Sequence, residues 1–162
     1  MTGSPRDALD LRAFLPYRLS ALTNRISRGF AALYSEQFGL GIPEWRVMAV
    51  LGQSPGLSAD QVCARTEMDK VTVSRAVSKL LTKKYVQRDT DAADRRRSVL
   101  GLSGRGSRMY ARIIPLARQY EHQLLRGLDP AQQRQLWAIL DGLDGVTATA
   151  GGRRDTGEDG SP

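Results

Sequence analysis

Residues 57–103 govern the architecture of this chain, and they read LSADQVCARTEMDKVTVSRAVSKLLTKKYVQRDTDAADRRRSVLGLS. Ser58, with Gln61 three residues later, forms a capping-box pattern that opens a short helix. A second helix is predicted over residues 68–86, and a charged hairpin follows with its tip at residues 91–97. This order of elements is typical of a winged helix-turn-helix, and we expect the rest of the chain to dimerise it.

Positive charge is concentrated in the same segment. Residues 65–112 contain 13 Lys and Arg and 5 Asp and Glu, which gives this segment a net charge of +8. The rest of the chain contains 11 Lys and Arg and 12 Asp and Glu, which gives a net charge of −1. A basic stripe on one motif is the electrostatic footprint of nucleic-acid binding. No run approaches the ~18 apolar residues of a membrane span, and the N-terminus carries no secretory signal. We therefore expect double-stranded DNA as the partner, no membrane, and a cytoplasmic location.

The second helix of the motif has two different faces. At ~100° per residue, one sector is apolar and suits the core: Val73, Ala76, Val77, Leu80 and Leu81. The other sector combines small side chains with long cations: Val71, Thr72, Arg75, Ser78, Lys79, Thr82 and Lys83. Such a face fits a major groove ~12 Å wide. The alternative interpretation is an amphipathic helix whose polar face is merely solvated. The short helix before it and the basic hairpin after it favour a helix that binds DNA.

The whole chain predicts a mainly α fold with about six helices and a small β-wing. Predicted helices span residues 14–38, 43–52, 58–65, 68–86, 107–127 and 129–143, and predicted strands span 85–88 and 98–102. We expect one domain over residues 9–144, with a disordered N-terminus at 1–8 and a disordered tail at 145–162. Within the domain, residues 57–103 form the winged helix-turn-helix, and residues 9–38 and 107–144 form the dimerisation helices.

The order of these elements resembles the MarR family of bacterial transcription regulators over residues 17–143. The most specific matches are Val73-Ser74-Arg75 in the second helix of the motif, DAADRR at 91–96 and LGLSGRG at 100–106. Gly101 departs from the family pattern, because strand residues are more usual there. The resemblance implies a sequence-specific DNA-binding regulator rather than an enzyme. It further implies a homodimeric repressor that a small ligand releases from a palindromic operator.

The resemblance also implies roles for individual residues. The recognition helix would present Thr72, Arg75, Lys79 and Lys83 to the major groove and its flanking phosphates. The wing tip would lie over the adjacent minor groove, where Arg95 and Arg97 are expected to contact phosphates. Arg96 matches the arginine that enters the minor groove, and Asp94 matches the acid that holds it. A narrow minor groove attracts arginine, and a carboxylate can pre-orient a guanidinium. A solvated loop is the alternative for the arginines.

Dimerisation is implied by the resemblance and agrees with the pattern of the terminal helices. The apolar stripes on the first and fifth helices are too long for one compact lobe to cover. A two-fold dimer demands a pseudo-palindromic operator with half-sites ~10 bp apart, or a multiple of that distance.

The resemblance to regulators of aromatic-acid catabolism, including hydroxycinnamate sensors, indicates a small-molecule effector. The candidate ligand-binding residues are Arg18, Asn24, Trp45, Arg46 and Tyr110. An aromatic wall beside a cation suits an aromatic carboxylate or its coenzyme A thioester. The alternative is that Trp45 belongs to the core and that Arg46 is a surface or intersubunit charge.

Other functions are less well supported by the residues. Cys63, the one cysteine, has the spacing of a core residue, and oxidant sensing through it is an alternative mode of regulation. His122 is the one histidine, so no paired metal-ligand spacing exists, and we expect no metal and no cofactor. Catalytic motifs are missing. A non-specific DNA-binding or protein-interaction module with the same fold is the remaining alternative.

Overall fold

The computed structural model describes residues 9–90 and 96–151. Its elements in chain order are α1 (Leu15–Phe38), α2 (Ile42–Gln53), α3 (Ala59–Thr66), α4 (Lys70–Thr82), β1 (Val86–Thr90), β2 (Ser98–Leu102), α5 (Gly104–Leu125) and α6 (Pro130–Gly151). The chain divides into two compact units, residues 1–118 and 119–162. The predicted mainly α fold with a small two-stranded wing is confirmed.

The core of the first unit lies where the last turn of α1 meets α2, α4 and the wing. Its buried apolar residues are Tyr34, Phe38, Leu40, Val47, Met48, Leu51, Leu57, Val62, Val73, Ala76, Val77, Leu80, Tyr85, Val86, Leu100 and Ile113. Burying one such large side chain contributes roughly 1.5–3 kcal/mol of stability. Only the last turns of α1 reach this core, through Tyr34 and Phe38. Phe30 and Ala31 are partly buried against it, whereas Leu15, Leu19 and Leu22 stay exposed in the single chain.

The helix-turn-helix is fixed at both helix starts by side-chain caps. In α3 the predicted capping box is confirmed: Gln61 N donates to Ser58 Oγ at 3.2 Å, and Ser58 N donates to Gln61 Oε1 at 2.8 Å. Between the helices, Glu67 takes the left-handed conformation with φ 53°, which ends α3. Asp69 then caps α4.

The recognition helix α4 is shorter than the predicted span of 68–86. Its N-terminus is at Lys70, because the Asp69 side chain accepts a hydrogen bond from Thr72 N and so caps the first turn. It ends at Thr82 because Lys84 is left-handed, with φ 57°. Tyr85 N then donates to Leu80 O at 2.9 Å, which closes the end of the helix and directs Val86 into the first strand.

The wing is an antiparallel hairpin whose register runs from Val86 opposite Leu102 to Thr90 opposite Ser98. Strand β2 matches its predicted span, whereas β1 covers 86–90 instead of 85–88. Leu100 N donates to Leu57 O at 2.8 Å, and Gly56 N donates to Leu100 O at 3.0 Å. This bridge attaches the segment before α3 to the hairpin, which a two-stranded ribbon needs because it is marginally stable alone.

Helix α5 begins three residues before the predicted start at 107. The early start follows from Ser103, which acts as a cap: its Oγ accepts from Gly106 N at 2.9 Å and donates to Lys84 O at 2.6 Å. A Cβ at Gly106 would lie 1.8 Å from the carbonyl oxygen of Tyr85. Glycine is therefore required where α5 crosses the backbone at the start of the wing.

The second unit contains a second capping box and a longer final helix than predicted. Asp129 Oδ1 accepts from Gln132 N at 2.9 Å, and Gln132 Oε1 accepts from Asp129 N at 2.9 Å. The prediction that 145–162 is disordered is wrong for residues 145–151, which belong to α6. Thr149 Oγ1 donates to Gly145 O at 2.7 Å, so its hydroxyl is satisfied within the helix. The disorder predicted for 1–8 and 152–162 concerns residues outside the described ranges.

One buried carboxylate joins three helices of the first unit. Glu44, in the first turn of α2, is 5% exposed and is the one charged side chain buried in the described part of the chain. Its Oε2 accepts from Lys83 Nζ at 2.7 Å, and Lys79 Nζ lies 3.5 Å from its Oε1. Lys83 Nζ also donates to the carbonyl of Gly39, the residue that caps α1.

Replacing Gly106 with alanine should destabilise the protein by about 3 kcal/mol, because the added methyl group overlaps the Tyr85 carbonyl. Urea unfolding at fixed protein concentration measures the loss. Gly104→Ala is the matched control, since it lies in the same helix and its added Cβ would meet only Arg108 Nη1, at 3.7 Å. The two variants unfolding at the same urea concentration would contradict the close-approach argument.

Lys83→Met should cost about 2 kcal/mol, because it leaves the buried Glu44 carboxylate with only the more distant Lys79. Lys70→Met is the control, since its partner Asp60 lies 3.0 Å away but both side chains are about 80% exposed, and we expect no measurable loss. The double variant Glu44→Gln with Lys83→Met should lose less than the sum of its single variants. Strict additivity in urea unfolding would show that the pair is not coupled.

Candidate nucleic-acid interface

The exposed face of α4 carries the predicted DNA-reading residues. Val73, Ala76, Val77 and Leu80 are buried, whereas Arg75 and Lys79 are exposed and Thr72 is partly exposed. The predicted division into a core face and a polar face is therefore confirmed. Thr72, Arg75 and Lys79 lie within one helical sector because they are three and seven residues apart. Their side chains form a polar surface that combines a hydroxyl with two cations.

The N-terminus of this face is organised by Asp69, which the sequence analysis did not single out. Its Oδ1 accepts from Thr72 N at 2.8 Å, and its Oδ2 accepts from Thr72 Oγ1 at 2.6 Å. These hydrogen bonds from Thr72 lower the pKa of the Asp69 carboxyl below its usual value. The pattern of an acid three residues before Thr72 would have revealed the cap, had the helix been started at residue 70 instead of 68.

The C-terminal end of the same face is tied to the core. Lys83 is engaged by Glu44 and by the carbonyl of Gly39, and its side chain is 35% exposed. Lys79 is 67% exposed and only loosely associated with the second oxygen of Glu44. The structure thus separates the two lysines: Lys79 faces solvent, whereas Lys83 links helices. Sequence alone placed Glu44 correctly in a first turn but did not reveal its burial.

The described part of the wing adds arginines to this basic surface. Arg88, Arg96 and Arg97 line one open groove, together with Asp89, Thr90 and Ser98. Asp89 also accepts from Gln87 Nε2 at 2.9 Å. Asp94 and Arg95, the other two predicted wing residues, lie outside the described residues, as do residues 91–93 of the tip. The arginine groove therefore lies at the end of the hairpin that adjoins the tip, far from the pair Val86–Leu102 at its base.

The predicted ligand-binding residues fall into separate places. Trp45 and Tyr110 are stacked, with ring centroids 5.9 Å apart and an interplanar angle of 22°. Phe30 and Tyr34 pack against Trp45 at 5.6 Å and 5.8 Å, so the rings form one aromatic cluster. A Cβ at Gly52 would come within 2.7 Å of the Tyr110 ring, which shows how closely that ring lies on α2.

Arg46 lies beside the aromatic cluster and holds α2 to α1. Its Nη2 donates to Ser27 Oγ at 3.1 Å. Burial raises the pKa of the Tyr34 hydroxyl to about 12, with the Arg46 cation opposing this shift and the Glu44 carboxylate adding to it. Tyr34 is therefore neutral at physiological pH, and it lies within the electrostatic reach of both charges.

Arg18 and Asn24 are not brought to the aromatic cluster in the single chain. Arg18 lines an open groove formed by the N-terminal half of α1 and the segment before it, with apolar walls from Leu11, Leu15 and Leu22. Asn24 lines a second shallow groove on α1 with Tyr17 and Arg28. The lining of neither groove includes Trp45, Arg46 or Tyr110. These two grooves therefore do not bring the five residues together.

Cys63 lies on the apolar side of α3, next to the fully buried Val62, and is partly exposed. Ala59, four residues before Cys63, is exposed because α3 begins there. Across residues 9–90 and 96–151, no three His, Cys, Asp or Glu side chains are grouped to hold a metal ion. None of the helices in these ranges is sufficiently long and apolar to cross a membrane.

Comparison with known proteins places this geometry in a family. A family model described as "MarR family" matches residues 38–97, which contain α2, the helix-turn-helix and the start of the wing. The regulator BilQ from Clostridium symbiosum is 26% identical over 93 residues, which cover 57% of this chain and 65% of that protein. The match to BilQ thus spans somewhat less than two thirds of its length.

Two solved structures agree over most of the chain. A MarR/EmrR family transcriptional regulator from Acinetobacter sp. ADP1 is 27% identical, covers 87% of this chain and 99% of its own, and superposes with a TM-score of 0.80. A MarR family regulator from Silicibacter pomeroyi DSS is 28% identical, with coverages of 90% and 96% and a TM-score of 0.74. Residues 38–97 of this chain match the MarR family of transcriptional regulators, and the order of its recognition helix, wing and flanking helices is the same as in these two regulators.

Proposed function

We propose that this protein is a homodimeric, sequence-specific repressor that a small ligand releases from a palindromic operator. The observation that carries this proposal is the exposed polar face of α4, with Arg75 and Lys79, together with a wing that carries arginines at its outer end. A major groove admits such a helix, and arginine reads guanine through two hydrogen bonds. Bacterial DNA being cytoplasmic, we propose the cytoplasm as the place of action.

The DNA contacts divide by chemistry. Thr72, Arg75 and Lys79 are proposed to meet base edges and flanking phosphates in the major groove. Arg96 is proposed to enter the minor groove with Asp94 beside it, while Arg95 and Arg97 contact phosphates, which position a protein without reading sequence. For Lys83 we propose a supporting role, because its ammonium is already held by Glu44 and Gly39.

Dimerisation is supported by apolar side chains that one chain leaves uncovered. In α1 these are Leu15, Leu19, Leu22 and Leu33, which are between 37% and 50% exposed. In the second unit Leu124, Trp137 and Ile139 are between 46% and 53% exposed. Exposed apolar residues concentrated on terminal helices are typical of an interface. We propose that a second copy of the chain covers them and thereby sets the distance between the two recognition helices.

The proposed effector is an aromatic carboxylate or its coenzyme A thioester. Trp45 and Tyr110 offer flat apolar surfaces, and the Arg46 guanidinium lies on the same helix as Trp45. Two proteins with the same fold add support: Streptomyces coelicolor PcaV was solved with its natural ligand, and DNA binding by Bordetella bronchiseptica BpsR is regulated by 6-hydroxynicotinic acid. Arg18 and Asn24 are proposed to join the site only in the dimer.

A ligand can weaken DNA binding only by preferring one arrangement of the dimer over another. We propose that the effector binds better when the two recognition helices are spaced wrongly for successive major grooves. The aromatic cluster suits this role because Trp45 follows Glu44 directly, and Glu44 holds the end of α4. A displacement of Trp45 would therefore be transmitted to the recognition helix through α2.

Arg75→Ala should weaken binding to the operator by about 10- to 100-fold, because it removes a side chain that can pair with a guanine. The measurement is fluorescence anisotropy on the DNA upstream of the protein's own gene, at physiological salt and with excess random competitor. Arg126→Ala is the control, because it removes the same charge from an exposed turn after α5. Equal loss in both variants, or wild-type binding that competitor erases, would indicate non-specific binding instead.

Arg46→Ala should keep operator affinity but lose release by aromatic acids such as p-coumarate and 4-hydroxybenzoate, because the carboxylate partner is removed. Ser27→Ala is the control, since it removes only the hydroxyl that Arg46 contacts. The same anisotropy assay with a panel of these acids and their thioesters measures both properties. An Arg46→Ala variant that responds fully would rule out this pocket, and release by peroxide instead would favour Cys63 as the sensor.

A further inference from the structure

The hydroxyl of Thr72 has a fixed hydrogen-bond direction in this structure. A threonine hydroxyl has one hydrogen to donate and two lone pairs that accept, and at a protein surface it can usually rotate to suit its partner. Here the hydrogen is used, because Oγ1 lies 2.6 Å from Oδ2 of Asp69, which can only accept when ionised. The short distance is typical of a hydroxyl bonded to a charged oxygen.

The second oxygen of Asp69 makes this arrangement rigid. Oδ1 accepts from Thr72 N at 2.8 Å, so both carboxylate oxygens are bonded to the same residue. Hydrogen bonds from Thr72 hold the pKa of Asp69 below its usual value, so the carboxylate remains ionised at physiological pH. The lone pairs of Thr72 Oγ1 and those of the carboxylate are left facing outward. This corner of α4 therefore offers hydrogen-bond acceptors and no side-chain donor.

The major groove distinguishes bases by donors and acceptors. Adenine and cytosine present amino groups that donate, whereas guanine and thymine present keto oxygens that accept at the equivalent places. An ordinary threonine can serve either class by rotating its hydroxyl. A threonine whose hydroxyl hydrogen is already donated to a carboxylate can only accept a hydrogen bond, so it can pair with an amino group of a base. A keto oxygen at the same place would also only accept, and the two acceptors would repel each other.

We propose that Asp69 is a specificity-determining residue: by holding the Thr72 hydroxyl hydrogen, it makes this corner of the recognition helix select adenine or cytosine and reject guanine or thymine. The inference rests on the proposed function, because it requires α4 to lie in a major groove. It goes beyond that function by assigning a base class to one position of the operator half-site.

Arg75, a neighbouring hydrogen-bond donor on α4, predicts a second base preference in the same half-site. Arg75 is exposed three residues further along α4, a rise of ~4.5 Å, which is larger than one base-pair step of ~3.4 Å and smaller than two. Arginine only donates and pairs best with guanine. One helical turn thus carries a hydrogen-bond acceptor, the Thr72 hydroxyl, and a hydrogen-bond donor, the Arg75 guanidinium. A half-site should accordingly combine a position restricted to adenine or cytosine with a nearby guanine.

Asp69→Asn provides a direct test because asparagine caps helices about as well as aspartate. Its oxygen must remain on Thr72 N, so its amide nitrogen faces Thr72 Oγ1 and donates to it. The hydroxyl hydrogen is then released to point outward and to serve a keto oxygen. Selection of binding sites from a library of random double-stranded DNA, followed by sequencing, should show the preference at one position moving from adenine or cytosine towards guanine or thymine.

Three further variants separate the cause from side effects. Thr72→Val keeps the shape but removes the hydroxyl, and it should reduce the preference at that position by roughly tenfold while the other positions keep theirs. Thr72→Ser keeps the hydroxyl and should keep the preference. Asp60→Asn removes one negative charge from the same motif without touching Thr72, and it should leave the selected motif unchanged.

The outcomes distinguish this inference from the proposed function. A wild-type motif that Asp69→Asn and Thr72→Val both leave unchanged would overturn the role of Asp69 while sequence-specific binding stands. A wild-type selection with no motif would overturn the proposed function and this inference together. Circular dichroism at the selection temperature confirms that each variant keeps its helices.

Discussion

The geometry of the recognition helix depends on one buried ion pair. The Glu44 carboxylate is taken out of water in the first turn of α2, and Lys83 donates to it from the far end of α4. Because Lys83 also donates to the carbonyl that ends α1, three helices share one ammonium group. A buried charge is costly unless it is paired, so any movement of α4 that separates these atoms is penalised. The position of the helix is thereby fixed at its C-terminal end.

The N-terminal end of α4 is fixed by a different kind of contact. Asp69 is exposed, and its carboxylate satisfies the backbone and the hydroxyl of Thr72 within the helix itself. A local cap of this kind determines where the helix begins, whereas the Glu44 pair determines where it lies against the rest of the unit. The polar face between them, with Arg75 and Lys79, is consequently presented on a helix that is defined at both ends.

The wing is held in place mainly by close contacts of its backbone with neighbouring segments. Leu57 pairs with Leu100 and so attaches the hairpin to the start of α3, while Gly106 allows α5 to cross directly against Tyr85. The cation of Arg105 lies 5.1 Å from the centre of the Tyr85 ring and covers the same junction. A hairpin that would be marginal alone is thus held on both sides by the unit that carries the recognition helix.

The sequence by itself determined the order of elements, the two faces of α4 and the capping box at Ser58, because these follow from local periodicity and from side chains three residues apart. It did not determine the extent of α6, nor the ends of α4 and the start of α5, which Asp69 and Ser103 set through side-chain hydrogen bonds and Lys84 through its left-handed backbone. Only the tertiary structure showed that Glu44 is buried, that Lys83 is engaged and Lys79 is not enclosed, and that Arg18 and Asn24 lie apart from Trp45. Such facts depend on residues distant in sequence, and no local pattern records which of them meet.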